Sequence, residues 1–235
     1  MLFLRSLLFY LVMWASTVLV VFMAVFLLPF SFTVRYRFIS QWARFNLWWL
    51  NKTCKIDYRI KGIENIPAGN GLIFCKHQST WETLALQNIF PPQVWLLKRE
   101  ILYIPVFGWG MKMLDPIAID RSKGTKALRQ LITEGTKRLK RGRWVVIFPE
   151  GTRIKPGKQG KYHKGGAMLA ERSGYPVVPV AHNAGSFWVH KQFIKQPGTI
   201  QVSIGPAIET TVRKSSEINE LARSWIEEEM QHLND

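Results

Sequence analysis

LIFCKHQSTWE, residues 72–82, passes from four apolar residues through a polar turn into the opening of a helix, and its reading decides the fold. LIFC (72–75) is short, apolar and β-rich, as a buried strand would be. Ser79-Thr80-Trp81-Glu82 matches a capping box, with Ser79 as N-cap and Glu82 at the third helical position, its carboxylate folded back toward the helix start. His77 stands five residues before Glu82, about 140° around a regular helix, so the two cannot share a helical face. Placed two residues before the cap, His77 instead lies in the strand-to-helix turn, where the returning carboxylate can reach its ring. Cap and pair are compatible. The stretch alone leaves open whether Glu82 only caps.

Outward from this unit the same alternation continues. Ile56, Tyr58 and Ile60 alternate as a half-buried strand; VWLL (94–97), PIAI (116–119), WVVIF (144–148), PVVPV (176–180) and IQVSI (200–204) read as buried strands. Leu128, Leu131, Ile132, Gly135 and Leu139 recur at helical spacing, as do Ile218, Leu221, Ala222, Trp225, Ile226 and Leu233. The expectation is an α/β domain, a mixed sheet flanked by helices, with its site outside the strand ends.

The chain has 235 residues, 47% hydrophobic and 20% charged, enough for one core plus an appendage. Thirty-two Lys and Arg against 16 Asp and Glu give +16, which points to an anionic partner: nucleic acid, anionic lipid or an acidic protein. Ser6 to Val34 holds no charged residue, and that run decides for a membrane. It is long enough to span with tilt or to fold back as a re-entrant pair. Pro29-Phe30-Ser31-Phe32 follows it where a signal peptide would have a small-residue cleavage site. Arg35, Arg37, Arg44, Lys52 and Lys55 follow the run and only Arg5 precedes it, so the positive-inside bias places the remaining chain on the cytoplasmic side. Trp42, Phe45, Trp48 and Trp49 suggest that the second segment lies flat in the interface. The expected division is an anchoring helical segment over 1–54 and a domain over 55–235. Cys54 and Cys75 are too few for a disulfide framework.

Other stretches carry chemistry. FPEGTRIKPG (148–157) follows a strand with a Glu150-Gly151-Thr152-Arg153 turn, whose amides and guanidinium suit a phosphate oxyanion. Arg121 ends the strand PIAI, and Lys164-Gly165-Gly166 opens a helix, a further anion site. From Met111 to Lys164 fifteen Lys or Arg stand against four acids, some of them forming only a solvated face. No zinc spacing is present, since His163, His182, His190 and His232 are scattered. No G-x-S-x-G occurs. Cys75, at the end of an apolar strand, reads as core rather than nucleophile.

Four ordered blocks resemble the glycerolipid acyltransferase family, and within it most closely the bacterial 1-acylglycerol-3-phosphate acyltransferases. They are KHQSTWE (76–82), LLKREILYIPVFGWG (96–110) through IAIDR (117–121), FPEGTR (148–153) and VVPV (177–180). Most of the family has aspartate where this chain has Glu82, whose longer side chain still offers a carboxylate. The resemblance implies that His77 is the general base and Glu82 orients it. It further implies that Lys98, Arg121, Glu150, Gly151, Thr152 and Arg153 bind substrate, with Pro179 shaping the pocket. No metal or organic cofactor is implied. The implied reaction moves a fatty acyl group from a thioester of acyl carrier protein or CoA to lysophosphatidic acid. The rival readings are transfer to another lysolipid, such as a lyso-ornithine lipid, and a membrane-anchored nucleic-acid binder, for which no motif is present.

Overall fold

The computed structural model describes residues 1–233. Two long helices, α1 (Leu2–Val25) and α2 (Phe32–Cys54), come first, and a turn between them folds the second back along the first. Trp42 Nε1 donates to Ser16 Oγ at 3.1 Å, while Cys54 at the end of α2 meets the Arg5 carbonyl near the start of α1. The pair is therefore an antiparallel hairpin. α1 is long and apolar enough to cross a membrane, and Leu4, Leu11, Trp14, Leu19 and Phe22 are exposed along it.

The aromatic residues of the second segment divide between two faces. Phe45 and Trp48 point outward against each other, but Tyr36, Ile39, Ala43, Leu47 and Leu50 are buried. Apolar residues at helical spacing on α2 thus serve the protein's own core, packing against α1 and the helix that follows.

Seven strands form one sheet: β1 (Ile56–Lys61), β2 (Leu72–Cys75), β3 (Gln93–Lys98), β4 (Ile117–Ile119), β5 (Trp144–Ile147), β6 (Val177–His182) and β7 (Gly198–Ile204), ordered β1-β7-β6-β2-β5-β3-β4. Every neighbouring pair is parallel except β6 with β7. All seven apolar runs of the sequence are strands, and the sheet is mixed as expected. Leu72, Ile73, Phe74 and Cys75 are wholly buried, as a central parallel strand covered on both faces must be. Each large apolar side chain there contributes about 1.5–3 kcal/mol of transfer free energy.

The connecting helices are α3 (Trp81–Ile89), α4 (Phe107–Met113), α5 (Thr125–Lys140), α6 (Gly165–Ser173), the single turn α7 (Ala184–Phe187) and α8 (Ser215–His232). α2 and α3 pack together, and α5, α6 and α8 form the other layer. A Cβ on Gly135 would come within 2.4 Å of Leu169, so the glycine lets α5 and α6 approach closely. Because β2, β5, β3 and β4 are adjacent and parallel, the segments after them emerge at one edge. Those segments carry His77, the 148–153 turn and Arg121, and Lys98 closes β3 at the same edge.

Candidate active site

After Cys75 the chain leaves β2 and reaches α3 in five residues. The His77 peptide is held on both sides by the turn after β5: its N–H donates to Glu150 Oε2 at 3.0 Å, and its carbonyl accepts from the Ile154 N–H at 2.7 Å. Its ring stacks on Phe148 with centroids 3.9 Å apart and planes 16° apart. Its Nδ1 lies 2.8 Å from Glu82 Oε1.

That oxygen also accepts the N–H groups of Gln78 (3.0 Å) and Ser79 (2.8 Å). The helix starts one residue later than the capping box expects: Thr80 is its N-cap, without a side-chain cap bond, and Glu82 is the second helical residue, so its bond to Ser79 reaches the N–H just before the cap. The hydroxyl half is shifted: Ser79 Oγ accepts from the Trp81 N–H at 3.2 Å and donates to the Trp188 carbonyl at 2.7 Å. Glu82 thus holds the turn that leads into the helix and meets the histidine with the same oxygen.

Electrostatics fix the protonation pattern. Burial works to raise the Glu82 carboxyl, but the histidines and donors around it outweigh burial and hold it below the ordinary value. His182 is wholly buried, and burial lowers its pKa. Its Nε2 donates to the Lys76 carbonyl at 2.8 Å and its Nδ1 accepts from the Ala184 N–H. His182 beside the carboxylate, the His77 ring and the Ser79 N–H together offset burial and keep Glu82 ionised. A carboxylate can only accept, so His77 carries its proton on Nδ1 and presents a free Nε2 lone pair.

Arg121 Nη1 donates to the Gly151 carbonyl at 2.7 Å. Gly151 has φ 68°, and a Cβ there would meet that guanidinium at 2.7 Å, so glycine is what the turn admits. Arg153 Nε donates to the Ser79 carbonyl at 2.8 Å, tying the turn to the start of α3. Thr152 is exposed, and so is Lys98 at the end of β3, where Lys98 pairs with Ile119 just before Arg121. A cavity of about 290 Å³ opens beside this turn, lined by Leu96, Ile119, Leu128, Leu131 and Phe148, with Arg121 among its walls.

Two expected substrate contacts lie elsewhere. Glu150 is turned inward, 3% exposed, onto Lys76 and the His77 amide. Pro179 pairs with Phe74 in β6, three residues short of His77, and lines a separate groove with Ile208, Leu221 and Trp225. The strand's register carries it away from the edge where the other residues gather. Phe148, Lys76, His182 and Trp188 were missed as parts of the site. All but Trp188 adjoin a strand end, which is the one signal their positions gave.

The acyltransferase family model matches residues 57–183. The chain is 46% identical over 235 residues to a 1-acyl-sn-glycerol-3-phosphate acyltransferase of Pseudomonas aeruginosa, covering 98% of this chain and 91% of that one. It is 30% identical over 176 residues to the Escherichia coli protein of the same name, covering 71% and 69%. The crystal structure of the 1-acyl-sn-glycerophosphate (LPA) acyltransferase PlsC from Thermotoga maritima superposes with a TM-score of 0.81 at 23% identity, over 98% of this chain and 95% of that one, and so shares its fold. With the family model matching more than half of the chain and relatives of this similarity along nearly its whole length, the chain belongs to the acyltransferase family.

Proposed function

We propose that the protein transfers a fatty acyl group from an acyl thioester to the sn-2 hydroxyl of lysophosphatidic acid, giving phosphatidic acid. The observation that carries this is His77 held by Glu82 with its Nε2 free, beside a turn that presents Arg121 and Arg153. The acceptor hydroxyl is a weak nucleophile. His77 removes its proton as the oxygen attacks the thioester carbonyl, a contribution of about 10²–10⁴-fold. Glu82 fixes the tautomer and stabilises the imidazolium. Collapse of the tetrahedral intermediate breaks the C–S bond, and the proton returns to the departing thiol. The thioester is already activated, so no covalent enzyme intermediate is needed.

The acceptor's phosphate is assigned to Arg121, Arg153, Lys98 and the backbone of residues 151–152, where charge-assisted bonds are available. An apolar cavity beside a guanidinium suits an amphiphile of this kind. Residues 1–54 hold the chain on the membrane, and residues 55–235 carry the chemistry. Basic residues after the apolar run favour the cytoplasmic face. The donor is acyl carrier protein or CoA; both are anionic and would be steered by the +16 surface.

Purified protein assayed with labelled acyl-CoA and acyl carrier protein against a panel of lysolipids tests the reading. Phosphatidic acid should form from lysophosphatidic acid with the highest kcat/KM, and His77→Ala should abolish it. Preference for a lyso-ornithine lipid, or activity that survives His77→Ala, would overturn it.

A further inference from the structure

Lys76, next to the histidine, is 1% exposed. Its Nζ lies 2.7 Å from Glu150 Oε1 and 2.7 Å from Glu227 Oε1, and 3.4 Å from the Lys158 carbonyl. Tyr162 donates its hydroxyl to the same Glu227 oxygen at 2.9 Å. One buried ammonium therefore joins the end of β2, the turn after β5, the 158–162 segment and α8. The other oxygen of Glu150 accepts the His77 N–H at 3.0 Å.

Two buried carboxylates sharing one cation are poorly compensated, and a carboxylate that loses such a partner takes up a proton rather than remain charged. Burial already pushes the Glu150 carboxyl up, and the Glu227 charge adds to this, while Lys76 and the His77 amide hold it down. Cys75, shifted up by burial and then by the Glu82 and Glu150 charges, Tyr162, and His182, whose Nε2 bonds the Lys76 carbonyl, also face the cluster.

We propose that Lys76 is a positioning residue for acyl transfer: by pairing with Glu150 and Glu227 it keeps the Glu150 carboxylate on the His77 amide and so fixes the ring's approach to the acceptor hydroxyl. The Ile154 N–H on the His77 carbonyl supplies the opposite jaw of this clamp. The proposal rests on the assignment of His77 as the base. Lys76 touches no substrate. It acts through the backbone of its neighbour.

The test compares the full-length parent, Lys76→Met, Lys76→Arg and the double variant Lys76→Met with Glu227→Gln. For each, kcat and KM for lysophosphatidic acid are measured from about pH 5.5 to 9, together with the apparent melting temperature. In Lys76→Met, kcat should fall about tenfold or more, with KM changed far less. Its acid limb should move to higher pH, because Glu150 now takes its proton more readily. The double variant removes one carboxylate with the cation; it should regain thermal stability yet keep the displaced limb. Lys76→Arg should leave the limb in place. If the single Met variant does not fold, the double variant decides. A folded Met or double variant with parental kcat and an unmoved limb overturns the proposal. Activity in His77→Ala would instead overturn the base assignment, so the two failures are distinct.

Discussion

Phe9 of the first helix meets the Trp188 indole edge-on at 5.2 Å, and the Trp188 carbonyl accepts the Ser79 hydroxyl at the start of α3. Ser6 Oγ accepts the Lys195 N–H at 2.9 Å, fastening the same loop a second time. The anchoring helix therefore braces the active turn. Phe9 is wholly buried, so Phe9→Ala should cost about 3–5 kcal/mol of stability. Membrane association should persist in this variant while kcat falls, as fractionation and assay of the same sample would show. Unchanged melting and turnover would leave α1 as an anchor alone.

Washing membranes with high salt should not release the protein, because the exposed side chains of α1 are apolar and ionic strength does not weaken their burial in lipid. Release of intact chain by salt would mean that attachment is electrostatic, through the basic surface.

Arg121 and Gly151 depend on each other. Gly151→Ala should cost about 1–2 kcal/mol for a left-handed backbone that alanine resists. Its methyl group also displaces the guanidinium 2.7 Å away. The expected result is a higher KM for lysophosphatidic acid with donor KM little changed, and Arg121→Ala should reproduce it without the loss of stability. Equal effects on both substrates would remove Arg121 from the acceptor site.

Arg153→Ala should raise the acceptor KM too, but with a fall in kcat, because its Nε bond to the Ser79 carbonyl supports the turn on which Glu82 rests. Arg153→Lys should recover charge without that bond, since an ammonium cannot present the planar fork. KM would then improve more than kcat. Full rescue of both by lysine would reduce the role of Arg153 to charge.

Local periodicity made the seven strands and the helices α5 and α8 legible, because central parallel strands are continuously apolar and amphipathic helices repeat at 3.6 residues. Cap chemistry placed Glu82 over His77, a contact within six residues of chain. What stayed hidden was long-range. Lys76 meets Glu227 151 positions away, and Trp188 meets Ser79 109 away; no local pattern announces such partners. The position of Pro179 was hidden for a related reason: a motif says which residues recur together, whereas strand register decides which edge each one reaches. At Glu150, a place in a phosphate-suited turn gave no sign of a side chain aimed at a buried lysine.

Glu82 offers the sharpest separation of capping from chemistry. Its Oε1 carries all three donors, whereas Oε2 has no hydrogen-bond partner among the described residues and stands 3.9 Å from His182. Glutamine can keep its carbonyl oxygen on those donors and turn its amide to the empty side, so Glu82→Gln should fold at neutral pH. Removing the charge withdraws support from the imidazolium, and kcat should fall at least about tenfold, the equivalent of roughly 1.4 kcal/mol of transition-state stabilisation. Acid stability gives an independent reading. The carboxyl titrates below its ordinary 4.5 in the fold, so the unfolded chain takes the proton first. Its contribution is complete above that value and is lost as pH falls through the lower folded value. Melting curves of parent and Gln variant should therefore differ most at neutral pH and draw together in strong acid. Glu82→Asp, which restores a carboxylate, should retain appreciable turnover. Full turnover in the Gln variant would leave Glu82 as a helix cap, with His77 working without an orienting charge.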